Sequence, residues 1–378
     1  MRTLIVSDLH LGSVSGSDLL RRVELREPLL EAVTNVDRVV LLGDVLELRH
    51  GPLRDAMAAA RPFFEDLGRA LGGRELVIVP GNHDHALVDP WLARRGQEAE
   101  PPPLAVEQLL EPAETSPALE RIAGWIAPAP MRIAYPGLWV RADVYATHGH
   151  YLDCHLTVPT LERLSMGAMS RLLGRAPSTF DCAGDYESIV APVFAWRDAV
   201  AREAATGSAL NGATTVSAWR ALRGSGIGRT RGLGSAISWL RTRALAGAFP
   251  VAVAALNRAG IGPLRADLSM SELRRAGLSA MGDVAAHLDL GDAYVVFGHT
   301  HRAGPLAGDD QQEWRGRQGA RLVNAGSWTY ASIFLTRATS ESPYWPGVAV
   351  LVDEQGPPVL THLLQDRTRA QIRTEGWA

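Results

Sequence analysis

Aspartate, asparagine and histidine recur in five short clusters along this 378-residue chain, and the clusters share one context. Asp8 and His10 stand in "SDLH", Asp44 in "GDVLE", and Asn82, His83 and Asp84 in "GNHD". His148 and His150 stand in "HGH", and His299 and His301 in "GHTH". Each cluster follows a run of four or five mostly apolar residues. Polar side chains are costly to bury unpaired, so five such sets closing core segments point to a ligand that they share. Imidazole and carboxylate donors without thiolate suit Mn, Fe, Zn, Ni or Co. Asp8, Asp44, Asn82, His10, His148, His299 and His301 are too many for one tetrahedral site. They suit two metals roughly 3.5–4 Å apart, bridged by one carboxylate and a water.

The elements that must carry these donors follow from periodicity. Residues 3–7, 38–42 and 75–79 read as buried strands, with helical spacing at 18–34 and 53–71 between them. That alternation predicts an α/β core, in which ligands gather beyond the carboxyl ends of the strands. Glycine precedes the polar residue in "GD", "GN" and "GH", where it permits unusual φ and close backbone approach. Residues 96–118, with "EPPP", read as a loop or excursion. Another strand, 143–147, ends in "HGH". Helical segments then dominate at 192–205, 213–223, 234–247 and 269–288, with a Gly-rich joint at 223–234. Strands resume at 293–297, 321–325 and 347–352. The expected organisation is therefore a core split into 1–150 and 291–378 around a mainly helical insertion at 151–290. Within it, segment 234–259 sets Trp239, Leu240, Leu245, Phe249 and Val251 beside Arg241 and Arg243. That make-up fits a lid or membrane-surface helix, or the packing of a helical cap.

Composition bounds the rest. With 46% apolar and 21% charged residues the chain reads as globular. A formal charge of −3 gives no general electrostatic reason to bind nucleic acid, although all 38 basic residues are arginine. Two cysteines, Cys154 and Cys182, are too few for a disulfide framework. The four-residue apolar run before Ser7 is too short for a signal peptide, and the apolar stretch 244–256 is too short to span a bilayer. A cytoplasmic protein is expected, peripheral to the inner membrane face if the insertion makes membrane contact.

The order Asp-x-His, Gly-Asp, Gly-Asn-His-Asp, His, Gly-His-x-His resembles the calcineurin-like metallophosphoesterase superfamily. The resemblance covers residues 1–150 and 290–330. It implies a four-layer α/β/β/α sandwich, with the insertion as a cap. It also implies two divalent metal ions, manganese first, with Asp8, His10 and His301 on one, Asn82, His148 and His299 on the other, and Asp44 between them. The implied reaction is hydrolysis of a phosphodiester or pyrophosphate by a hydroxide held between the metals. His83 would protonate the leaving oxygen or steady the transition-state charge, and Asp84, grouped with it, would orient a neighbouring group. Arg302, His150 and Asp153 read as substrate-facing. In motif style, "TLIVSDLHLGS", "VVLLGDVLE", "FGHTHRAGP" and "RLVNAGSW" are similar to UDP-2,3-diacylglucosamine diphosphatases, in which a helical lid accepts acyl chains. This chain departs from that group in having His83 where Arg is usual, and in its longer insertion. The expected substrate is thus a nucleotide- or lipid-linked phosphoester. The alternatives are a nuclease of the same superfamily, which the acidic balance disfavours, and a non-catalytic binding protein, which the filled donor positions disfavour.

Overall fold

The computed structural model describes residues 1–98, 101–206, 250–335 and 339–373. Ten strands form one hydrogen-bonded sheet: β1 (Thr3–Val6), β2 (Arg38–Leu42), β3 (Glu75–Val79), β4 (Glu107–Leu110), β5 (Met131–Arg141), β6 (Val144–Thr147), β7 (Tyr294–Phe297), β8 (Arg321–Asn324), β9 (Val348–Val352) and β10 (Val359–His362). Their order is β10-β9-β1-β2-β3-β5-β6-β7-β8, with β4 also paired to β5. The helices that cover it are α1 (Val23–Val33), α2 (Leu53–Leu71), α3 (Asp89–Arg95), α4 (Pro112–Thr115), α5 (Pro117–Ile126), α6 (Leu161–Leu173), α7 (Ala183–Thr206) and α8 (Met270–His287).

Strand side chains alternate between two surroundings, as the pleat requires. Leu4 and Val6, Val39 and Leu41, and Leu76 and Ile78 meet α1, α2 and α5 on one flank. Tyr145, Val295, Phe297 and Leu322 meet α6, α7 and α8 on the other. The intervening residues, among them Ile5, Val40, Val77, Ala146, Val296, Val323 and Val350, pack against one another between the two halves of the sheet. Both faces of each central strand are buried, which is why the strands read as continuous apolar runs. The result is the expected four-layer sandwich, but its two β layers are one sheet folded on itself.

β5 makes that fold. Its first part pairs parallel with β3 through Met131–Ile133, and its second pairs antiparallel with β6 through Gly137–Arg141. On a flat sheet the carboxyl end of β6 would lie at the edge opposite those of β1, β2 and β3. Instead His148, after β6, has its Nδ1 3.1 Å from the Leu42 carbonyl of β2. Across the same gap the amides of His299 and Trp328 donate to Asp8, at 3.0 Å each. Two sets of parallel strands therefore deliver their carboxyl ends to one crevice.

The sequence reading missed several elements. β5 escaped because Pro136 interrupts its pattern. β4 and α4 lie inside 96–118, read above as a loop; Glu107–Leu110 forms an edge strand on β5, and Pro112–Thr115 a single turn. In the insertion, α7 spans the expected 192–205, and Ser269 caps α8 by accepting from the Glu272 amide. The segments at 213–223 and 234–247, and with them most of the apolar and Arg-bearing 234–259 stretch, lie outside the described residues. Cys154 and Cys182 are free thiols. No described helix is long and apolar enough to cross a membrane.

α7 is fastened to the core by a buried carboxylate. Glu187 Oε1 accepts from the hydroxyls of Tyr135 and Tyr151, at 2.6 Å each, and Oε2 lies 3.2 Å from His85 Nε2. His85 Nδ1 is 2.8 Å from Asp89. Burial alone would lower the His85 pKa, but the bonds to Asp89 and Glu187 outweigh it and push it up to about 10. A folded pKa above the unfolded value of about 6.5 means stabilisation that is complete below that pH and lost as pH rises through the folded pKa. Unfolding free energy, followed by urea titration, is therefore expected to fall between pH 7 and 10 in the wild type and to fall less in His85→Gln. Parallel profiles for the two would contradict a charged His85.

Candidate metal centre

The loops leaving β1 and β2 run on side by side after the strands end. The His10 amide donates to the Asp44 carbonyl at 2.7 Å, Leu11 to Val45 at 2.9 Å, and Glu47 back to Leu11 at 2.9 Å. This register sets Asp8 and His10 beside Asp44. Among the described residues, six without a glycine backbone have positive φ, and five of them are Asp8, His10, Asp44, His299 and His301. Asp and His tolerate this region better than most side chains, yet each such residue costs roughly 1–3 kcal/mol. The strain is concentrated on the candidate ligands. Of the three glycines in "GD", "GN" and "GH", only Gly43 has the unusual φ expected of it. Gly81 and Gly298 serve through the missing side chain, since a Cβ on Gly81 would strike Asp44 and His148, and one on Gly298 would strike Ser7 and Asp8.

The donors fall into two groups that adjoin at Asp44. Asp8, His10 and His301 bring ligand atoms within 4.8 Å of one another, and so do Asp44, His148 and His299. Asp44 Oδ2 lies 3.5 Å from His10 Nε2 and 3.4 Å from His148 Nε2, midway between the groups. Asn82 Oδ1 sits 3.0 Å from both His148 Nε2 and His299 Nδ1. Asp8 Oδ1 is buried and accepts no hydrogen bond, although His301 Nε2 stands 3.1 Å away.

Each imidazole is held from behind. His10 Nδ1 bonds Glu47 at 3.0 Å, His148 Nδ1 the Leu42 carbonyl, His299 Nε2 Asp153 at 3.1 Å, and His301 Nδ1 faces Thr329 Oγ1 at 3.4 Å. These outer partners leave the inner nitrogens with their lone pairs turned toward Asp8, Asp44 and Asn82, as metal-binding histidines require. The electrostatics agree. Burial opposes every charge here, yet carboxylates raise His10 and His148 to about 9, and imidazoles hold Asp44 well below the usual carboxylate range. A field that favours a proton at those nitrogens also favours a divalent cation. An orphaned acceptor, glycine-lined walls and converging lone pairs all fit two divalent metals.

The remaining sequence candidates divide. His83, a quarter exposed, faces Asp44 and the adjoining cavity. Burial first, and then the charge of Arg49, lower its pKa to about 4 despite Glu47 at 2.8 Å. Asp84 does not reach the cavity: it is fully buried and accepts from the amides of Val45, Leu46 and Gly81, so it ties the β2 and β3 loops together. Asp153 lines the cavity, but its carboxylate is occupied by His299. Arg302 also lines it, with its guanidinium paired to Asp309 and lying over Trp314. His150 is buried between Tyr151 and Phe194 with both ring nitrogens unpartnered, away from the cavity lining. Sequence reasoning missed Glu47, Arg49 and His50, although "GDVLELRH" continues directly from Asp44. Their only signal was a run of polar residues after a strand end.

A cavity of about 260 Å³ opens from Asp44, Asn82, His83, His299 and His301. Its far walls are Leu156, Met270, Leu273, Leu278, Trp314 and Tyr344, drawn from both the core and the insertion. Residues 1–173 match the family model described as calcineurin-like phosphoesterase. The match takes in Asp8 to His148, while His299 and His301 enter the same crevice from outside it. Glu47→Ala is expected to weaken metal binding about 10- to 100-fold by freeing the His10 ring. Competition against a chromophoric chelator would measure this, and unchanged affinity would remove Glu47 from the centre.

Proposed function

We propose that the chain, whose residues 1–173 match the calcineurin-like phosphoesterase model, is a metal-dependent phosphoric ester hydrolase that cleaves a phosphodiester or pyrophosphate bond in a substrate with a nucleotide- or lipid-linked group. The observation that carries this reading is the pair of donor groups adjoining at Asp44, with a partly open, largely apolar cavity leading from them. An organic substituent on phosphorus needs such space, whereas inorganic phosphate does not.

Asp8, His10 and His301 would hold one divalent ion and Asn82, His148 and His299 the other, with Asp44 between them; manganese leads among the metals that these donors suit. Such a pair supplies Lewis-acid polarisation of the phosphoryl group and acidifies water. The chain does the rest. Asp84 fixes the loops that carry Asp44 and Asn82. His83 Nδ1–H donates to the Glu47 carboxylate, which leaves Nε2 facing Asp44 at 4.0 Å. A neutral His83 has no Nε2 proton to give, so its service as an acid requires a phosphoryl anion nearby to draw its pKa upward. The helical insertion closes the cavity with Leu156, Met270 and Leu278, which favours selection of the leaving group there.

Mn-loaded protein is expected to hydrolyse bis-p-nitrophenyl phosphate faster than p-nitrophenyl phosphate, and Asp44→Ala to cost about a thousandfold or more, a barrier increase of about 4 kcal/mol. A panel with acylated and unacylated UDP-sugars, cyclic nucleotides and single-stranded DNA would order the substrate classes. Faster monoester hydrolysis, or a rate that survives Asp44→Ala, would overturn the reading.

A further inference from the structure

The Asn82 carboxamide has one atom inside the metal centre and one outside it. The inner atom lies 3.0 Å from His148 Nε2, 3.0 Å from His299 Nδ1 and 3.2 Å from Asp44 Oδ2. The outer atom lies 2.9 Å from Arg49 Nη1. The outer nitrogens of both imidazoles are held by Leu42 and Asp153, so their inner nitrogens carry lone pairs. Two orientations of the amide then have opposite demands. With nitrogen inward, the amide donates to these acceptors and its oxygen accepts from Arg49. With oxygen inward, four acceptors converge when both imidazoles are neutral, and a cation satisfies them without protonating either ring. That orientation turns the NH2 toward Arg49, so two donors stand 2.9 Å apart with no acceptor between them. Arg49 has donors to spare: its Nε and Nη2 are buried without a hydrogen-bond partner, and its guanidinium lies over the Phe194 ring of α7 at 5.1 Å.

We infer that Arg49 and the Asn82 amide form an anion site that metal binding creates, and that it takes a non-bridging oxygen of the phosphoryl group. The inference rests on the hydrolase reading above and adds a substrate-binding residue and an order: cation first, anion second. Arg49 suits the task because its planar fork hydrogen-bonds phosphate oxygens. Phe194 brings the insertion into the site, because the ring that supports Arg49 belongs to α7.

The test is calorimetric titration of inorganic phosphate into the protein, metal-free and Mn-loaded, for wild type, Arg49→Gln and Arg49→Lys. Metal content, thermal midpoint and bis-p-nitrophenyl phosphate hydrolysis are measured on the same samples. Wild type is expected to bind phosphate only when Mn-loaded. Arg49→Gln should keep its metal and weaken phosphate about tenfold or more, as loss of a charged hydrogen bond does, and Arg49→Lys should recover part of the loss. Phosphate affinity unchanged in Arg49→Gln, with wild-type hydrolysis intact, would overturn the inference alone. Metal loss in Arg49→Gln would overturn it too, since Arg49 would then act by holding Asn82. A wild type that neither retains metal nor hydrolyses the diester would overturn both readings.

Discussion

Too many acceptors converge around Asp44 for protons alone to satisfy them. Its Oδ2 faces His10 and His148, Asn82 presents a carboxamide to the same space, and Asp8, from the neighbouring strand, brings a second buried carboxylate that His301 meets from across the folded sheet. Buried charges are tolerated only when they are paired, and among the described residues the closest arginine, Arg49, reaches only the outer atom of the Asn82 amide. A pair of cations would resolve the conflict, and the surrounding chain holds the donors in place for it. Asp8, Asp44, His10, His299 and His301 are all held at positive φ. Three glycines leave no room for a side chain that would push the loops apart.

The groups behind the histidines matter as much as the histidines. Imidazole can bind metal only through a nitrogen that has lost its proton, and the outer bond decides which one that is. Glu47, the Leu42 carbonyl and Asp153 make that choice three times, while Thr329 faces His301 with a hydroxyl that can donate or accept. Glu47 makes it twice over, since the same carboxylate holds His10 and His83. A candidate ligand and the candidate acid are thereby coupled through one side chain. Asp84, grouped with His83 in the sequence, instead spends all its hydrogen-bonding capacity on backbone amides.

The insertion is joined to the core at the back of this site as well as over its cavity. Along α7, Glu187 and Phe194 lie two turns apart on one face. Glu187 binds Tyr135, Tyr151 and His85; Phe194 packs on His85, His150 and Arg49. His85 follows Asn82 by three residues, so displacement of α7 would be felt in the loop that carries the metal-facing amide. α8, by contrast, packs on the sheet as part of its outer layer.

The sequence by itself determined most of the central strands and the candidate donor set. Continuous apolar runs such as 38–42 and 75–79 fix buried strands because both faces are covered, and Asp, Asn and His at their ends are chemically costly without a ligand. Those are local properties, legible residue by residue. Only the tertiary structure decided that the ends meet. β5 is unremarkable as sequence and broken by Pro136, yet its change of partner from β3 to β6 turns two opposed sets of strand ends into one crevice. Folding likewise decided the roles of Glu47, Asp84, Asp153 and Arg302, because a carboxylate or a guanidinium reads the same in sequence whether it faces a substrate, a backbone amide or another side chain. Contacts across more than a hundred residues, such as His148 with Leu42 or His299 with Asp8, depend on the path of the whole sheet. No spacing within a motif encodes that path.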